Sequence, residues 1–202
     1  MSQSKLQSKG FAVIHDVFTK AQILQLCNII ENTNGSADTF RRSADLFAIR
    51  QFLKEVPGIY DLIFTKQFKD LIKQYLGENY FVVKSIYFDK PEQSNWFVSY
   101  HQDLTISVDR RLDMPGYSKW TVKQGQFAVQ PPLEILETSF TLRIHLDDTD
   151  EDNGALKVIP GSHLKKIYRP VDIDWTTETE ISCGVPEGGV MIMMPWARVH
   201  IS

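Results

Sequence analysis

The chain has 202 residues, the usual length of one domain, and its 43% hydrophobic and 23% charged residues are ordinary for a globular protein. That composition excludes a disordered or fibrous chain. The 22 basic and 25 acidic residues give a formal net charge of −3, so the composition provides no basic surface for nucleic acid.

The first third of the chain predicts one strand followed by helices. Thr19 and Gln22 have the spacing of a capping box, and apolar residues then recur at helical spacing as far as Ile30. Gly77 stands where a glycine commonly ends a helix. The expected elements are a strand at 11–18 and helices at 19–30, 46–56 and 66–76.

After Gly77 the sequence is typical of β-structure. Apolar and β-branched runs predict strands at 80–88, 96–100, 139–147, 154–159 and 190–200. The segment 111–133 is rich in Gly, Pro, Gln and Lys, and we expect a loop there. Strands that follow one another without intervening helices favour an antiparallel jelly roll, with a helical part at about 1–78 and a core at about 79–202 of a single domain.

Two cysteines, Cys27 and Cys183, form no CxxC motif, which favours reduced thiols. No run approaches the ~18 apolar residues of a membrane span. The opening residues contain no apolar core of a signal peptide. We therefore expect a soluble, cytoplasmic protein that binds neither membrane nor nucleic acid.

The pattern His-x-Asp occurs twice, at His101-Gln-Asp103 and at His145-Leu-Asp147. On a strand, residues two apart lie on one face, so an imidazole and a carboxylate could reach one ion. Two histidines and one carboxylate are the ligands of a non-haem Fe(II) site, and His200 could be the third ligand. Spacing alone leaves a purely structural role open for each histidine. A cupin-like metal site built on His145 and Asp147 is a further alternative.

Several longer strings resemble the phytanoyl-CoA dioxygenase (PhyH) family. They are Asn95-Trp-Phe-Val-Ser-Tyr-His101-Gln-Asp103, Val129-Gln-Pro-Pro132, Leu142-Arg-Ile-His-Leu-Asp-Asp148 and Asp152-Asn-Gly-Ala-Leu-Lys-Val-Ile-Pro-Gly-Ser-His163. The resemblance runs from about Phe11 to the last residue. It implies a double-stranded β-helix, or jelly-roll, core and a dioxygenase that uses Fe(II), 2-oxoglutarate and O2. Such an enzyme would hydroxylate a small molecule and release succinate and CO2.

The resemblance also implies roles for individual residues. His101, Asp103 and His200 match the iron ligands, and Ser202 matches a position that contacts 2-oxoglutarate. Gln102 and Trp120 are weaker candidates for the same pocket. Trp120 and Gln130 lie in the segment 111–133, where we expect a lid over the substrate. His163 belongs to the Pro-Gly-Ser-His turn, for which a structural role is expected.

The sequence departs from the family pattern at its end. It ends two residues after His200, so we expect it to lack the last strand and the family's arginine for the distal carboxylate of 2-oxoglutarate. Three alternatives follow: a truncated chain, a strand or arginine supplied by the other subunit of a homodimer, or a substitute arginine within this chain. The first of these includes a non-catalytic jelly-roll module that keeps the fold and the metal site.

Two arginines could act as the substitute. Arg198 shares a strand face with His200 and could bind 2-oxoglutarate, unless it faces solvent on a frayed strand. Arg143 shares a face with His145 and could bind a carboxylate of the substrate. The simpler expectation for Arg143 is an ion pair with Asp147.

Overall fold

A computed structural model describes residues 3–33, 39–42, 47–89, 98–123 and 125–201 of the protein. Its helices are α1 (Gln3–Lys9), α2 (Lys20–Glu31), α3 (Phe52–Glu55), α4 (Ile59–Ile63), α5 (Lys66–Leu76) and α6 (Leu133–Glu137). Its strands are β1 (Phe11–Ile14), β2 (Phe40–Arg42), β3 (Phe47–Arg50), β4 (Ile86–Asp89), β5 (Val98–His101), β6 (Ile106–Val108), β7 (Ser118–Lys123), β8 (Gln126–Gln130), β9 (Thr141–Ile144), β10 (Leu156–Ile159), β11 (Ile181–Cys183), β12 (Val190–Met193) and β13 (Arg198–Ile201). Two 3₁₀ turns span Ser162–Lys165 and Pro170–Asp172.

The chain divides into two compact units. The first comprises Met1–Thr19, Trp96–Leu104 and Pro131–Ser202, and the second comprises Lys20–Asn95 and Thr105–Gln130. Each unit takes segments from more than one part of the chain. The single domain with a helical part at about 1–78 and a core at about 79–202 stays a prediction.

The first unit contains two antiparallel sheets, with strand orders β1-β12-β9 and β11-β10-β13-β5. Apolar side chains from both sheets form one buried core, so the sheets pack face to face. The members of this core are Phe11, Leu156, Val158, Cys183, Val185, Met191, Met193, Ala197 and Val199. The inward face of each sheet is the face that carries these residues.

The second unit contains helices α2–α5 and two three-stranded sheets, with orders β2-β3-β4 and β6-β8-β7. Helix α5 begins and ends where the sequence predicts. The hydroxyl oxygen of Thr65 accepts a hydrogen bond from the Phe68 amide at its start, and Gly77 follows at a φ of 91°. In α2 the predicted apolar face is buried, through Ile23, Leu26 and Ile30. The predicted stop at Asn34-Gly35 lies outside the described residues.

Three sequence predictions about these elements are wrong. The expected helix at 46–56 is strand β3 followed by the single turn α3, because pairing of β3 with β2 and β4 outweighs local helix propensity. The expected loop at 111–133 contains strands β7 and β8. Strand β7 buries few side chains, and its hydrogen-bonded pairing with β8 keeps it extended. The expected strand at 80–88 is regular only as β4.

The expected strand at 190–200 is two strands in different sheets. Strand β12 pairs with β1 and β9, whereas β13 pairs with β10 and β5. Between them, Pro195 has no amide hydrogen to donate, and Trp196 has a φ of 65°, which is uncommon for a residue with a side chain. The chain therefore crosses from one sheet to the other before it reaches His200.

None of the helices in the described ranges has the length and apolar character needed to cross a bilayer.

Candidate functional site

His101 lies at the end of β5 and is half-buried. Its Nδ1 lies 2.9 Å from the carbonyl oxygen of Ser99. Because a carbonyl only accepts, Nδ1 carries the proton, and in the neutral ring Nε2 keeps its lone pair. A backbone carbonyl that fixes the tautomer in this way is typical of histidines that bind metals.

Asp103 lies beyond the strand. Strand β5 ends at His101, and Asp103 is exposed in the irregular segment that follows. The alternation that would align the two residues on one face of a strand therefore does not apply to Asp103.

His200 is buried on β13, on the face opposite to His101. The Cα of His101 is paired with that of Val199, and Val199 belongs to the core between the two sheets. Neighbouring side chains of a strand point to opposite faces, so His200 points away from that core. Its ring instead lies 4.5 Å, between ring centroids, from the ring of Tyr100.

The three predicted iron ligands consequently do not converge in this arrangement. Within the parts of the chain that the structure describes, no three His, Cys, Asp or Glu side chains lie close enough to hold one metal ion. The donor types suit Fe(II), and the tautomer of His101 suits a ligand, but the face of His200 does not fit a shared iron with His101.

An open groove of about 640 Å³ lies at His200. Its lining residues are Tyr100, Trp175, Glu178, Thr179, Glu180 and His200. The Tyr100 hydroxyl donates a hydrogen bond to Glu180, and Lys157 Nζ lies 3.2 Å from the other carboxylate oxygen. His200 Nε2 lies 3.6 Å from Glu180 Oε2.

The pKa values in this groove follow from these contacts. Burial raises the pKa of Tyr100 well above its ordinary value, and the hydrogen bond to Glu180 raises it further. The same hydrogen bond holds the pKa of Glu180 below its usual range, with Lys157 acting in the same direction. Glu180 is therefore an anion at neutral pH, held between a phenol and an ammonium group.

Gln102, predicted to line the cosubstrate pocket, connects three segments of the first unit. Its Nε2 donates to the carbonyl oxygens of Lys166, at 2.8 Å, and Trp196, at 2.6 Å. Its Oε1 accepts from the Tyr168 amide at 2.9 Å and from Arg198 Nη2 at 3.4 Å. Both ends of the side-chain amide are thus engaged within the protein.

Arg198 is not the frayed, solvent-facing residue that one alternative expected. It is 2% exposed, and its backbone amide donates to Ser162 Oγ at 2.8 Å. Its guanidinium carbon lies 5.5 Å from the centroid of the Tyr168 ring, and its buried Nε has no hydrogen-bond partner among the described residues. Burial lowers the pKa of Arg198, while Tyr168 and Asp172 raise it.

Among the described residues, the expected ion pair between Arg143 and Asp147 does not form, and no hydrogen bond of the Arg143 side chain is found there. Asp147 is exposed and acts on Arg143 only at longer range. His145 is buried, and its Nδ1 lies 2.5 Å from Thr149 Oγ1. Because no third ligand joins His145 and Asp147 among the described residues, the cupin-like metal alternative gains no support.

Trp120 and Gln130 belong to the second unit. Trp120 lies on β7, with the guanidinium carbon of Arg111 5.8 Å from its ring centroid. Gln130 ends β8 and is buried, and within the described ranges its Oε1 has no hydrogen-bond partner. Ser202 lies outside the described residues.

His163 has the structural role expected for the Pro-Gly-Ser-His turn. It is buried in the first 3₁₀ turn, and its Nε2 lies 2.9 Å from the carbonyl oxygen of Gln7. A Cβ on Gly10 would lie 2.4 Å from His163 Nδ1, so this contact requires glycine at position 10. Through the contact between His163 and Gln7, this turn connects α1 to the sheet that contains β10.

Comparison with known proteins places the chain in a family. The model of the phytanoyl-CoA dioxygenase (PhyH) family matches residues 6–197. The chain belongs to the phytanoyl-CoA dioxygenase family. The family resemblance predicted from the His-x-Asp and Pro-Gly-Ser-His strings is thus confirmed.

One relative within this similarity is a protein of Stutzerimonas stutzeri named "Probable alpha-ketoglutarate-dependent hypophosphite dioxygenase". It is 24% identical over 180 residues, which cover 82% of this chain and 54% of that protein. The chain therefore spans about half the length of the curated relative that it matches.

Solved structures confirm the fold of this phytanoyl-CoA dioxygenase family member. The non-heme alpha ketoglutarate dependent carbocyclase SnoK from nogalamycin biosynthesis has a TM-score of 0.70 at 14% identity, over 99% of this chain and 76% of that chain. HygX from Streptomyces hygroscopicus, with nickel and 2-oxoglutarate bound, has a TM-score of 0.63 at 14% identity, over 100% and 80%. The prediction of a mainly β jelly roll is confirmed.

Sequence reasoning missed Tyr100, Glu180 and Trp175, which surround His200. Tyr100 alternates with His101 along β5, a signal that it faces the other side of the sheet. Glu180 and Trp175 lie far from β5 in the sequence, and only the pairing of β10 with β11 and β13 brings Glu180 close to His200.

Proposed function

We infer that this chain is an Fe(II)- and 2-oxoglutarate-dependent dioxygenase that acts on a small molecule. The observation that carries this proposal is the family match over residues 6–197, together with a jelly roll shared with 2-oxoglutarate-dependent proteins. When bound, iron and 2-oxoglutarate would supply the activation of O2 and release succinate and CO2. Neither Cys27 nor Cys183 forms a disulfide among the described residues, which supports a reducing, cytoplasmic setting.

The individual residues remain predictions within this proposal. His101, Asp103 and His200 are the proposed iron ligands, of which His101 has the best support because Ser99 fixes its tautomer. The proposed contacts to 2-oxoglutarate are Ser202, Gln102, Trp120 and Arg198, and the proposed contacts to the substrate are Gln130 and Arg143. Because His101 and His200 face opposite sides of the sheet, we derive no catalytic step through iron from this arrangement.

The geometry of His200 also favours a second candidate function, a jelly-roll module of this family without turnover. Such a module would keep the fold, with or without a bound metal ion, and would not turn over 2-oxoglutarate.

An anaerobic titration separates the two candidates. The purified chain receives Fe(II) and then 2-oxoglutarate, and a weak visible charge-transfer band reports chelation of ferrous iron by the keto acid. A saturating band, followed by release of succinate on admission of O2, supports the dioxygenase. Iron binding with no band and no succinate supports the module without turnover.

Matched histidine variants identify the metal site. We expect His101→Gln to abolish the charge-transfer band. His145→Gln should keep the band, because the His145 ring is buried and its Nδ1 is hydrogen-bonded to Thr149. If His145→Gln abolishes the band and His101→Gln does not, the ion is held at the other His-x-Asp pair.

A further inference from the structure

Three aromatic rings meet in the groove at His200, on the face of the sheet that points away from the core. The centroid of the Tyr100 ring lies 5.5 Å from that of Trp175 and 4.5 Å from that of His200. Trp175 is 54% exposed, so much of the indole is open to a ligand in the groove. The face of an indole or phenol ring attracts a positive charge.

Two carboxylates, those of Glu178 and Glu180, line the same groove, and none of the described lysines and arginines lines it. Lys157 Nζ lies 3.2 Å from Glu180 Oε1. Lys165 Nζ lies 2.8 Å from Glu178 Oε1. Because both lysines lie outside the lining, a ligand in the groove meets carboxylates and aromatic rings instead of ammonium groups.

Glu178 has an oxygen to spare for a ligand. Three groups contact its Oε1, namely Lys165 Nζ at 2.8 Å, the Tyr168 hydroxyl at 2.5 Å and the Asp174 amide at 3.1 Å. Among the described residues, no donor contacts Oε2, which keeps its lone pairs for a further hydrogen bond. Burial raises the pKa of Glu178, but the hydrogen bonds with Lys165 and Tyr168 outweigh burial and hold it below its usual range. Glu178 is therefore an anion at neutral pH.

The segment that carries Trp175 and both carboxylates is held in place without a ligand. The amides of Thr177 and Glu178 donate to the Asp174 carbonyl at 3.0 Å and 2.8 Å. The Thr176 amide donates to the Asp174 carboxylate at 3.0 Å. Binding in the groove consequently requires little ordering of this segment, which favours affinity.

We propose that this groove binds a small organic cation, that is, an ammonium group with apolar substituents. The rings of Tyr100 and Trp175 would attract the charge and pack against the substituents, as aromatic rings do around quaternary ammonium groups. The carboxylates of Glu178 and Glu180 would supply the opposite charge, whereas they would repel an anion. The volume of about 640 Å³ suits a small molecule, for which sites of roughly 300–1,000 Å³ are usual. The site goes beyond the proposed function and needs neither iron nor 2-oxoglutarate.

The test measures binding of four probes to the metal-free chain by ligand-observed NMR. Choline and tetramethylammonium are the cations. The compound 3,3-dimethyl-1-butanol has the shape of choline without its charge, and acetate is the small anion. The comparison of choline with its uncharged counterpart needs no variant of the protein.

Three substitutions in the groove and one outside it locate the site. Trp175→Leu removes the exposed ring, and Trp175→Phe keeps an aromatic face. Glu180→Gln removes a charge and keeps an acceptor for the Tyr100 hydroxyl. Glu134→Gln is the matched control, because Glu134 is exposed on α6 and does not line the groove.

We expect wild type to bind both cations and to bind neither acetate nor the uncharged alcohol. Trp175→Leu should weaken choline binding about 5- to 30-fold, the range for a lost cation–π contact, and Trp175→Phe should weaken it less. Glu180→Gln should weaken it about 2- to 5-fold, as for a part-exposed charge. Glu134→Gln should bind choline as wild type does.

Three results would overturn the proposal. The first is wild type that binds neither cation, and the second is wild type that binds the uncharged alcohol as tightly as choline. The third is choline affinity that stays at the wild-type value in both Trp175→Leu and Glu180→Gln, or that falls as far in Glu134→Gln as in Glu180→Gln. Thermal melts check that each variant is folded.

The cation site and the dioxygenase fail independently. Choline binding that depends on Trp175, in a chain with neither a charge-transfer band nor succinate release, keeps the cation site and removes the proposed function. A band and succinate release in a chain that binds neither cation keep the function and remove the cation site.

Discussion

Replacing Gln102 by Ala would remove the side chain that links β5 to the segments around Lys166 and Trp196. Gln102 makes three hydrogen bonds of 2.6–2.9 Å and one of 3.4 Å. At ~0.5–1.5 kcal/mol net for each of the three short bonds, the loss is about 2–4 kcal/mol. Two of the partners left behind, Arg198 and Tyr168, are buried, which favours the upper half of this range.

Urea unfolding followed by circular dichroism measures this loss in the free energy of unfolding. In a thermal melt of a chain of this length, a loss of about 2–4 kcal/mol lowers the melting temperature by roughly 4–16 °C. Gln7→Ala is the matched control in the same unit, because Gln7 is exposed on α1. That control should stay within about 0.5 kcal/mol of wild type.

A loss below about 1 kcal/mol for Gln102→Ala would refute the reasoning, since it would mean that these hydrogen bonds do not hold the segments together. The same variant tests the role predicted from the sequence. A folded, stable Gln102→Ala protein whose affinity for 2-oxoglutarate falls more than about tenfold would make Gln102 a cosubstrate residue instead.

Three further predictions concern other positions of the first unit. Gly10→Ala should destabilise the protein by at least ~1–2 kcal/mol in thermal melts, because position 10 has a φ of 83° and a Cβ there would clash with His163; an unchanged melting temperature would contradict this. Stability should fall as the pH drops from about 6.5 towards 4, because the unfolded state protonates His145 while the folded state, with its pKa lowered to about 4, does not; His145→Gln should flatten that part of the pH profile of unfolding. Arg198→Ala should weaken 2-oxoglutarate binding several-fold in calorimetry, and an unchanged affinity would remove Arg198 from the cosubstrate site.

The sequence alone determined the features that depend on neighbours along the chain. Helix α5 follows from the capping Thr65, the apolar periodicity and Gly77, all within a few turns of one another. The strand-rich half and the family strings are also local patterns, and they were sufficient for the fold class and the family. The donor types of the proposed iron site, and the structural role of His163, could likewise be predicted from motifs.

Only the tertiary structure decided which face each of these side chains occupies. The sequence predicts one strand at 190–200, but the break at Pro195 and Trp196 moves the chain to the second sheet, and the pairing of Val199 with His101 turns His200 towards Glu180. Local spacing likewise predicts an ion pair between Arg143 and Asp147, whereas the pairing of Arg143 with Met191 places its side chain on the core-facing side of the sheet, and the described residues show no such ion pair. The physical reason is that side chains alternate with a period of two, so strand register, which is set by long-range pairing, decides which chemical groups meet.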